Sequence, residues 1–410
     1  MNQPKIRIEE YSYELPDERI AKYPLSQRDS SKLLIYNKGT ISQEKFSSIP
    51  SFLPEGSMMV FNNTKVVPAR LFFKKDTGAL IEIFCLEPVD PVDYAVSFAC
   101  VSGCSWKTII GNVKKWKGGY LSLYLPEGVD SEVATLNLKA ELLEKQDNSY
   151  IVRFLWEGGV PFSRVLELCG QVPIPPYLNR ETEAIDLERY QTLYAKFRGS
   201  VAAPTAGLHF TEDVLSEIKA KGIDCEELCL HVGAGTFLPV KSEYIEDHIM
   251  HSEPFSVRRD FLEKLVNMPE SAKVISVGTT STRSLESLYY AGCQCLNEGV
   301  ERWIPKPVKQ WDPYQGEDKY TTKEALKALV DYMILNNLEI LNLRTQIIIV
   351  PSYIFKVVDI LVTNFHQPQS TLLLLISAFV GGDDWKRIYS YAMENGFRFL
   401  SYGDSSMLVR

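Results

Sequence analysis

The chain has 410 residues, 45% hydrophobic and 23% charged, with a formal net charge of −8. That is the make-up of a soluble globular protein large enough for two domains. The charge argues against a general nucleic-acid binder, and no run approaches the eighteen or so apolar residues of a membrane span.

The N-terminus, MNQPKIRIEEYSYELPDERI, carries acidic residues and no apolar core, so it is not a secretory signal and a cytoplasmic location is expected. Eight cysteines without framework spacing are then expected to be reduced thiols. Cys225 and Cys229 fall in a strand-like stretch and Cys293 and Cys295 follow a predicted helix, so no structural metal is expected.

In chain order, residues 1–55 mix short helical and extended signals, with KLLIYN as a strand. SMMVFN (57–62) reads as a buried strand, and VVPARLFF continues extended with Pro68 marking an edge or bulge. From about Arg70 to Phe154 short runs such as ALIEIFCLEP, YLSLYLPE and YIVRFLW alternate with Gly, Pro, Asp and Asn. Strands at close spacing without helices imply a small all-β barrel or sandwich inserted into a larger domain. Lys74, Lys75, Lys107, Lys114, Lys115 and Lys117 cluster there beside Trp106 and Trp116. They read either as the solvated edge of this unit or as a nucleic-acid surface.

Helices return after Pro161. PFSRVLELCG should stop at Gly170 in the C′ position, DLERYQTLYAKF should be an amphipathic helix, and TEDVLSEIKAKG should be capped by Thr211 and stopped at Gly222. Strand DCEELCLHV, helix FLEKLVN, strand KVISVGT and helix STRSLESLYYA follow. This alternation predicts a largely parallel α/β layer or barrel. Residues 301–345 interrupt it with a loop-like stretch and the helix TKEALKALVDYMILNN. The strands QIIIVPSY and KVVDILVTN then resume it, and a helix opens at Ser370.

All five histidines (His209, His231, His248, His251, His366) lie in a few polar segments: APTAGLHF, LHVGAGTF, HIMHSE and TNFHQPQS. Such concentration suggests one composite site. A Gly-Thr-Thr-Ser turn leads from KVISV into a helix, where free amides favour an anion and Arg283 could add charge. An ordinary capped helix is the alternative. Gly233-Ala234-Gly235-Thr236 lacks a third glycine, so it is a weak nucleotide-binding signal that permits close backbone approach. His248, His251 and Glu253 read as metal ligands, as a general base with an orienting partner, or as a polar surface loop.

These stretches carry a resemblance. FNNTKVVPARLF, RYQTLYAKFRGSVAAPTAGLHFT, LHVGAGTFLPV, HIMHSE, SVGTTSTRSLES, FKVVDILVTNFHQPQSTLLLLISAF and the terminal SYGD resemble, in order, the blocks of the S-adenosylmethionine:tRNA ribosyltransferase-isomerases of queuosine biosynthesis. The resemblance implies an α/β-barrel-like main domain (1–69 and 160–410) with an inserted β-barrel domain (70–159), and residues 301–345 as an insertion atypical of the family. It implies S-adenosylmethionine as ribosyl donor and, as acceptor, a tRNA carrying 7-aminomethyl-7-deazaguanine at the wobble position. Epoxyqueuosine forms, adenine and methionine leave, and no metal, redox cofactor or membrane is involved. A monomer is expected.

On the matching positions, His209, His231, His251, Glu253 and His366 are the acid–base candidates. Thr205, Gly233, Gly235, Thr236, Thr279, Thr280, Arg283 and Asn364 are candidates for holding S-adenosylmethionine and Arg70 for meeting the nucleic acid; Lys114 and Lys115, from the lysine cluster outside those blocks, are further nucleic-acid candidates. Gln369 stands where the family pattern NFHLPRSTLL has arginine. A methyltransferase using the Gly-Ala-Gly turn, a metal-dependent hydrolase on HIMHSE, and a non-catalytic tRNA-binding paralogue are the competing readings.

Overall fold

Side chains that alternate between two apolar layers build the centre of the molecule. The strands in chain order begin with β1 (Lys32–Asn37), β2 (Thr40–Lys45), β3 (Met58–Asn62) and β4 (Thr64–Val66). Six more follow: β5 (Arg70–Lys74), β6 (Leu80–Asp90), β7 (Gly103–Gly111), β8 (Tyr120–Leu123), β9 (Lys139–Gln146) and β10 (Ser149–Leu155). The remainder are β11 (Phe197–Ser200), β12 (Asp224–Leu230), β13 (Glu253–Arg258), β14 (Val274–Val277), β15 (Ile340–Thr345), β16 (Ile360–Asn364) and β17 (Ser405–Val409). The computed structural model describes all residues except 1–4, 76, 126–130, 147–148, 234–239, 241 and 317–318.

Nine strands form one sheet in the order β15-β13-β12-β3-β14-β16-β17-β1-β2. Its centre, β12-β3-β14-β16, is parallel. The period-2 pleat sorts the side chains of each strand. Met58, Val60, Leu34, Leu361 and Leu408 join one core layer, whereas Met59, Phe61, Ile35, Ile360, Val362 and Met407 join the other. Helices cover both faces, which explains why β3, β14 and β16 are buried throughout.

The mixed α/β class is as expected, and strands β5–β10 close into a six-stranded antiparallel barrel, order β10-β7-β6-β5-β8-β9. The main layer keeps two ends, β15 and β2, so closure belongs to the inserted strands. Antiparallel β13 and β15 on one side and β2 on the other extend this sheet.

Four local expectations change. Gly170 ends the helix Phe162–Cys169 in extended backbone, not left-handed, and is needed because a Cβ would stand 1.8 Å from the Pro68 carbonyl oxygen. The helix expected over DLERYQTLYAKF stops at Arg189. Phe197–Ser200 instead pairs parallel with β4, where the amides of Lys196 and Phe197 reach the Asn63 carbonyl. The apolar run Ile347–Val350 is buried but irregular, and the strand lies one step earlier as β15 on the sheet edge. Cys293 and Cys295 lie inside the helix Thr279–Glu298 rather than after it, both buried.

The expected caps are present: Thr211 accepts from Val214 N, and Ser370 accepts from Leu373 N. The described cysteines are all free thiols, and no helix is long and apolar enough to cross a membrane among the described residues. Segment 301–345 supplies both β15 and the helix Thr322–Leu335, which packs against Thr279–Glu298 through the 0–2% exposed Ala325, Leu326 and Leu329.

Candidate active site

At the C-terminal ends of the parallel strands the chain must leave the sheet, and there the polar segments meet, as is usual for open α/β sheets. After β14 the backbone turns at Gly278 (φ +91°) into the helix Thr279–Glu298. Gly278 provides no side-chain cap, so the first amides of this helix have no capping side chain. After β16 come Asn364, Phe365 and His366. Antiparallel β13 begins at the same end with Glu253. One cleft is lined there by Thr205, Glu253, Thr279, Thr280, Arg283, Asn364, His366 and also by His248 and His251.

At its centre is a buried ion pair. Arg283 Nη1 donates to Glu253 Oε2 at 2.7 Å, with side chains 6% and 5% exposed. Arg283 Nε donates to the Ile347 carbonyl at 3.0 Å, which puts the irregular apolar run to use, and Nη2 has no protein acceptor among the described residues. His251 stands beside this pair on the open side of the cleft. Partial burial lowers its pKa below the usual histidine value, while Glu253 pulls the other way. His248 is lowered by burial and by His251. His366 is half-buried, shares a 3.1 Å hydrogen bond between Nε2 and Thr363 Oγ1, and is depressed by burial to about 4. The Tyr13 and Tyr389 hydroxyls hold its backbone.

Two expected histidines do not line this cleft. His209 is packed behind Asn364, between Ser31 Oγ and the Asn364 amide, and burial followed by Arg398 and Arg28 depresses it to about 3. His231 faces the groove between barrel and sheet, where it stacks on Tyr94 with ring centroids 4.2 Å apart, and burial depresses it to about 4. Gly233 follows Val232 at the cleft edge, and Gly235 and Thr236 lie outside the described residues.

The expected nucleic-acid residues sit elsewhere. Arg70 pairs with Glu82 and stacks over Phe72 on the barrel, lining a hollow with Pro173–Pro176. Lys114 and Lys115 are exposed on a single turn of the barrel. Trp106 and Trp116 are 1% and 3% exposed, so they are barrel core and offer no stacking platform beside those lysines. Gln369 is exposed, at φ +54°, with its amide on the Tyr11 carbonyl, and does not line the cleft.

Sequence reasoning passed over Tyr177 and Ser401, whose hydroxyls meet at 2.5 Å on the cleft wall. The signal was present: an aromatic hydroxyl directly after Pro175 and Pro176, and a serine in the terminal SYGD block. Among the described residues no group of three or more His, Cys, Asp or Glu side chains could hold a metal.

Three rings kept neutral by burial make the fold acid-sensitive. His209, His231 and His366 bind a proton on unfolding below about pH 6.5 but not in the folded state until about pH 4 or lower. Their contribution is therefore complete above pH 6.5 and is lost as pH falls, by about 1.4 kcal/mol per ring per pH unit. Urea midpoints at pH 7, 6 and 5 should fall steadily, with a shallower slope in His209→Gln. A flat profile would contradict the burial of these rings.

The model of the family described as "Queuosine biosynthesis protein" matches residues 8–409. The S-adenosylmethionine:tRNA ribosyltransferase-isomerase of Trichlorobacter lovleyi is 40% identical over 407 residues, covering 98% of this chain and 99% of that protein. The protein of the same name from Desulfitobacterium hafniense is 38% identical over 410 residues, with 98% and 100% covered. The crystal structure of an S-adenosylmethionine tRNA ribosyltransferase from Thermotoga maritima is 26% identical, with 98% of this chain and 100% of that chain covered and a TM-score of 0.47. A match running from end to end, at these identities, makes this chain a member of the queuosine biosynthesis protein family.

Proposed function

We propose that this chain transfers and isomerises the ribosyl group of S-adenosylmethionine onto tRNA, the activity for which its relatives are named. The acceptor is the aminomethyl group of 7-aminomethyl-7-deazaguanine at the wobble position. The products are epoxyqueuosine-tRNA, adenine and methionine. The observation that carries this reading is the convergence, in one cleft, of Thr205, His251, Glu253, Thr279, Thr280, Arg283, Asn364 and His366.

The chemistry suits these residues. A sulfonium acidifies the adjacent ribose carbon, so a modest base can begin the rearrangement. His251 is the best placed, because its pKa is lowered but it is not sealed in the core. Glu253 is tied to Arg283 and so orients the site and balances the guanidinium against the substrate's positive sulfur. The methionine carboxylate meets the first amides of the helix at Thr279 and Thr280, with Arg283 behind them. His366, neutral near pH 7, hydrogen-bonds the departing adenine. The chemistry belongs to residues 1–69 and 160–410, the barrel unit 70–159 and its Arg70, Lys114 and Lys115 meet the tRNA, and the atypical segment 301–345 braces the main sheet.

Incubation with S-adenosylmethionine and tRNA bearing the aminomethyl base should release adenine and methionine in step with a mass gain on the nucleoside. S-adenosylhomocysteine as the product would instead identify a methyltransferase, and no consumption of S-adenosylmethionine would identify a tRNA binder.

A further inference from the structure

His209 and Ser31 form a buried relay behind Asn364 that the reaction above does not use. Ser31, His209 and Asn364 are 2%, 4% and 3% exposed. Asn364 Nδ2 lies 3.3 Å from the Leu400 carbonyl oxygen and 3.1 Å from His209 Nε2. A backbone carbonyl only accepts, so the amide atom facing Leu400 must be the nitrogen. That nitrogen therefore donates to His209 as well, and Nε2 must accept. The ring proton is left on Nδ1, where Ser31 Oγ receives it at 2.8 Å. The chain of donors runs one way, and it turns the remaining amide atom, Asn364 Oδ1, into a committed acceptor. Among the described residues no protein donor reaches that oxygen, although Asn364 lines the cleft. A buried carbonyl oxygen without a partner is costly unless a ligand supplies one.

We propose that Ser31 and His209 are positioning residues that lock the Asn364 amide so that Oδ1 accepts a hydrogen bond from an N–H group of the substrate. The inference rests on the ribosyl-transfer reading for the identity of that substrate. Two N–H donors are available: the 6-amino group of adenine and the aminomethyl nitrogen of the tRNA base. A neutral amide oxygen holds either without removing its proton. For the amine this leaves the lone pair free for attack. His209 then acts through Asn364 and exchanges no proton with the substrate.

The test has a structural and a kinetic arm. With imidazole-15N histidine, His209 should show the neutral Nδ1–H tautomer from pH 5 to 8, whether or not the enzyme turns over. An Nε2–H tautomer or an imidazolium would overturn the relay. In kinetics, His209→Gln keeps an acceptor towards Asn364 and should stay close to wild type. His209→Leu, similar in bulk, should lose about 10–100-fold in kcat/KM. Equal activity of the Leu and Gln variants, both folded, would reduce His209 to packing and sink the proposal.

An S-adenosylmethionine analogue lacking the 6-amino group separates the two sources. If adenine is the donor, the analogue costs the wild type about as much as His209→Leu does and costs the Leu variant little more. If the amine is the donor, the Leu variant's defect lies in the tRNA terms and is the same with either donor substrate. A wild type that releases no adenine would refute the ribosyl-transfer reading while leaving the tautomer result to stand or fall alone.

Discussion

Arg283→Met should destabilise the protein by about 3–5 kcal/mol and abolish adenine release. The guanidinium and the Glu253 carboxylate are both almost fully withdrawn from water and meet at 2.7 Å. Removing the cation leaves a carboxylate in low dielectric with no compensating charge, and the loss exceeds what the intact pair contributes. The Ile347 carbonyl also loses its donor. The double variant Arg283→Met, Glu253→Gln should recover much of the stability, because an amide needs no counter-ion, yet remain inactive. Denaturant unfolding at pH 7 reads the first effect and adenine release the second. A single variant with the wild-type unfolding midpoint would show that the pair is not buried as described.

His251→Ala should separate activity from stability in the opposite way. The ring stands on the open side of the cleft and its removal creates no internal cavity, so unfolding should be nearly unchanged. Loss of the base should lower kcat by about 10²–10⁴-fold. The sign of the pH dependence follows from the lowered pKa: the neutral, basic form persists below the usual histidine midpoint. The wild-type rate should therefore rise through an ionisation below about pH 6.5 and stay level above it. That acid limb should vanish in the variant. Full turnover by His251→Ala would pass the role of base to His366 or Glu253.

Local signals reported faithfully wherever the physics was local. Thr211 and Ser370 cap their helices because a side-chain oxygen two or three residues upstream needs nothing from the rest of the fold. The buried strand β3 was legible in SMMVFN as a largely apolar run. The errors came where long-range partners overrode local pattern. Ile347–Val350 has a strand's composition, yet its neighbours on the sheet edge were already taken by β15. Phe197, the last residue of the expected helix, instead opens a strand that found its partner in β4.

The amino-acid sequence by itself determined the two-part α/β and barrel organisation, the helix caps and the polar blocks from which the cleft draws its lining, since periodicity and composition are properties of a chain before it folds. Only the tertiary structure decided which histidine faces the cleft and which stands behind it. His209 and His366 both sit in glycine- or proline-bearing polar turns, and nothing in their neighbours along the chain distinguishes them. The distinction arises from partners hundreds of residues apart: Ser31 holds the His209 ring, and the Leu400 carbonyl commits the Asn364 amide to a single orientation.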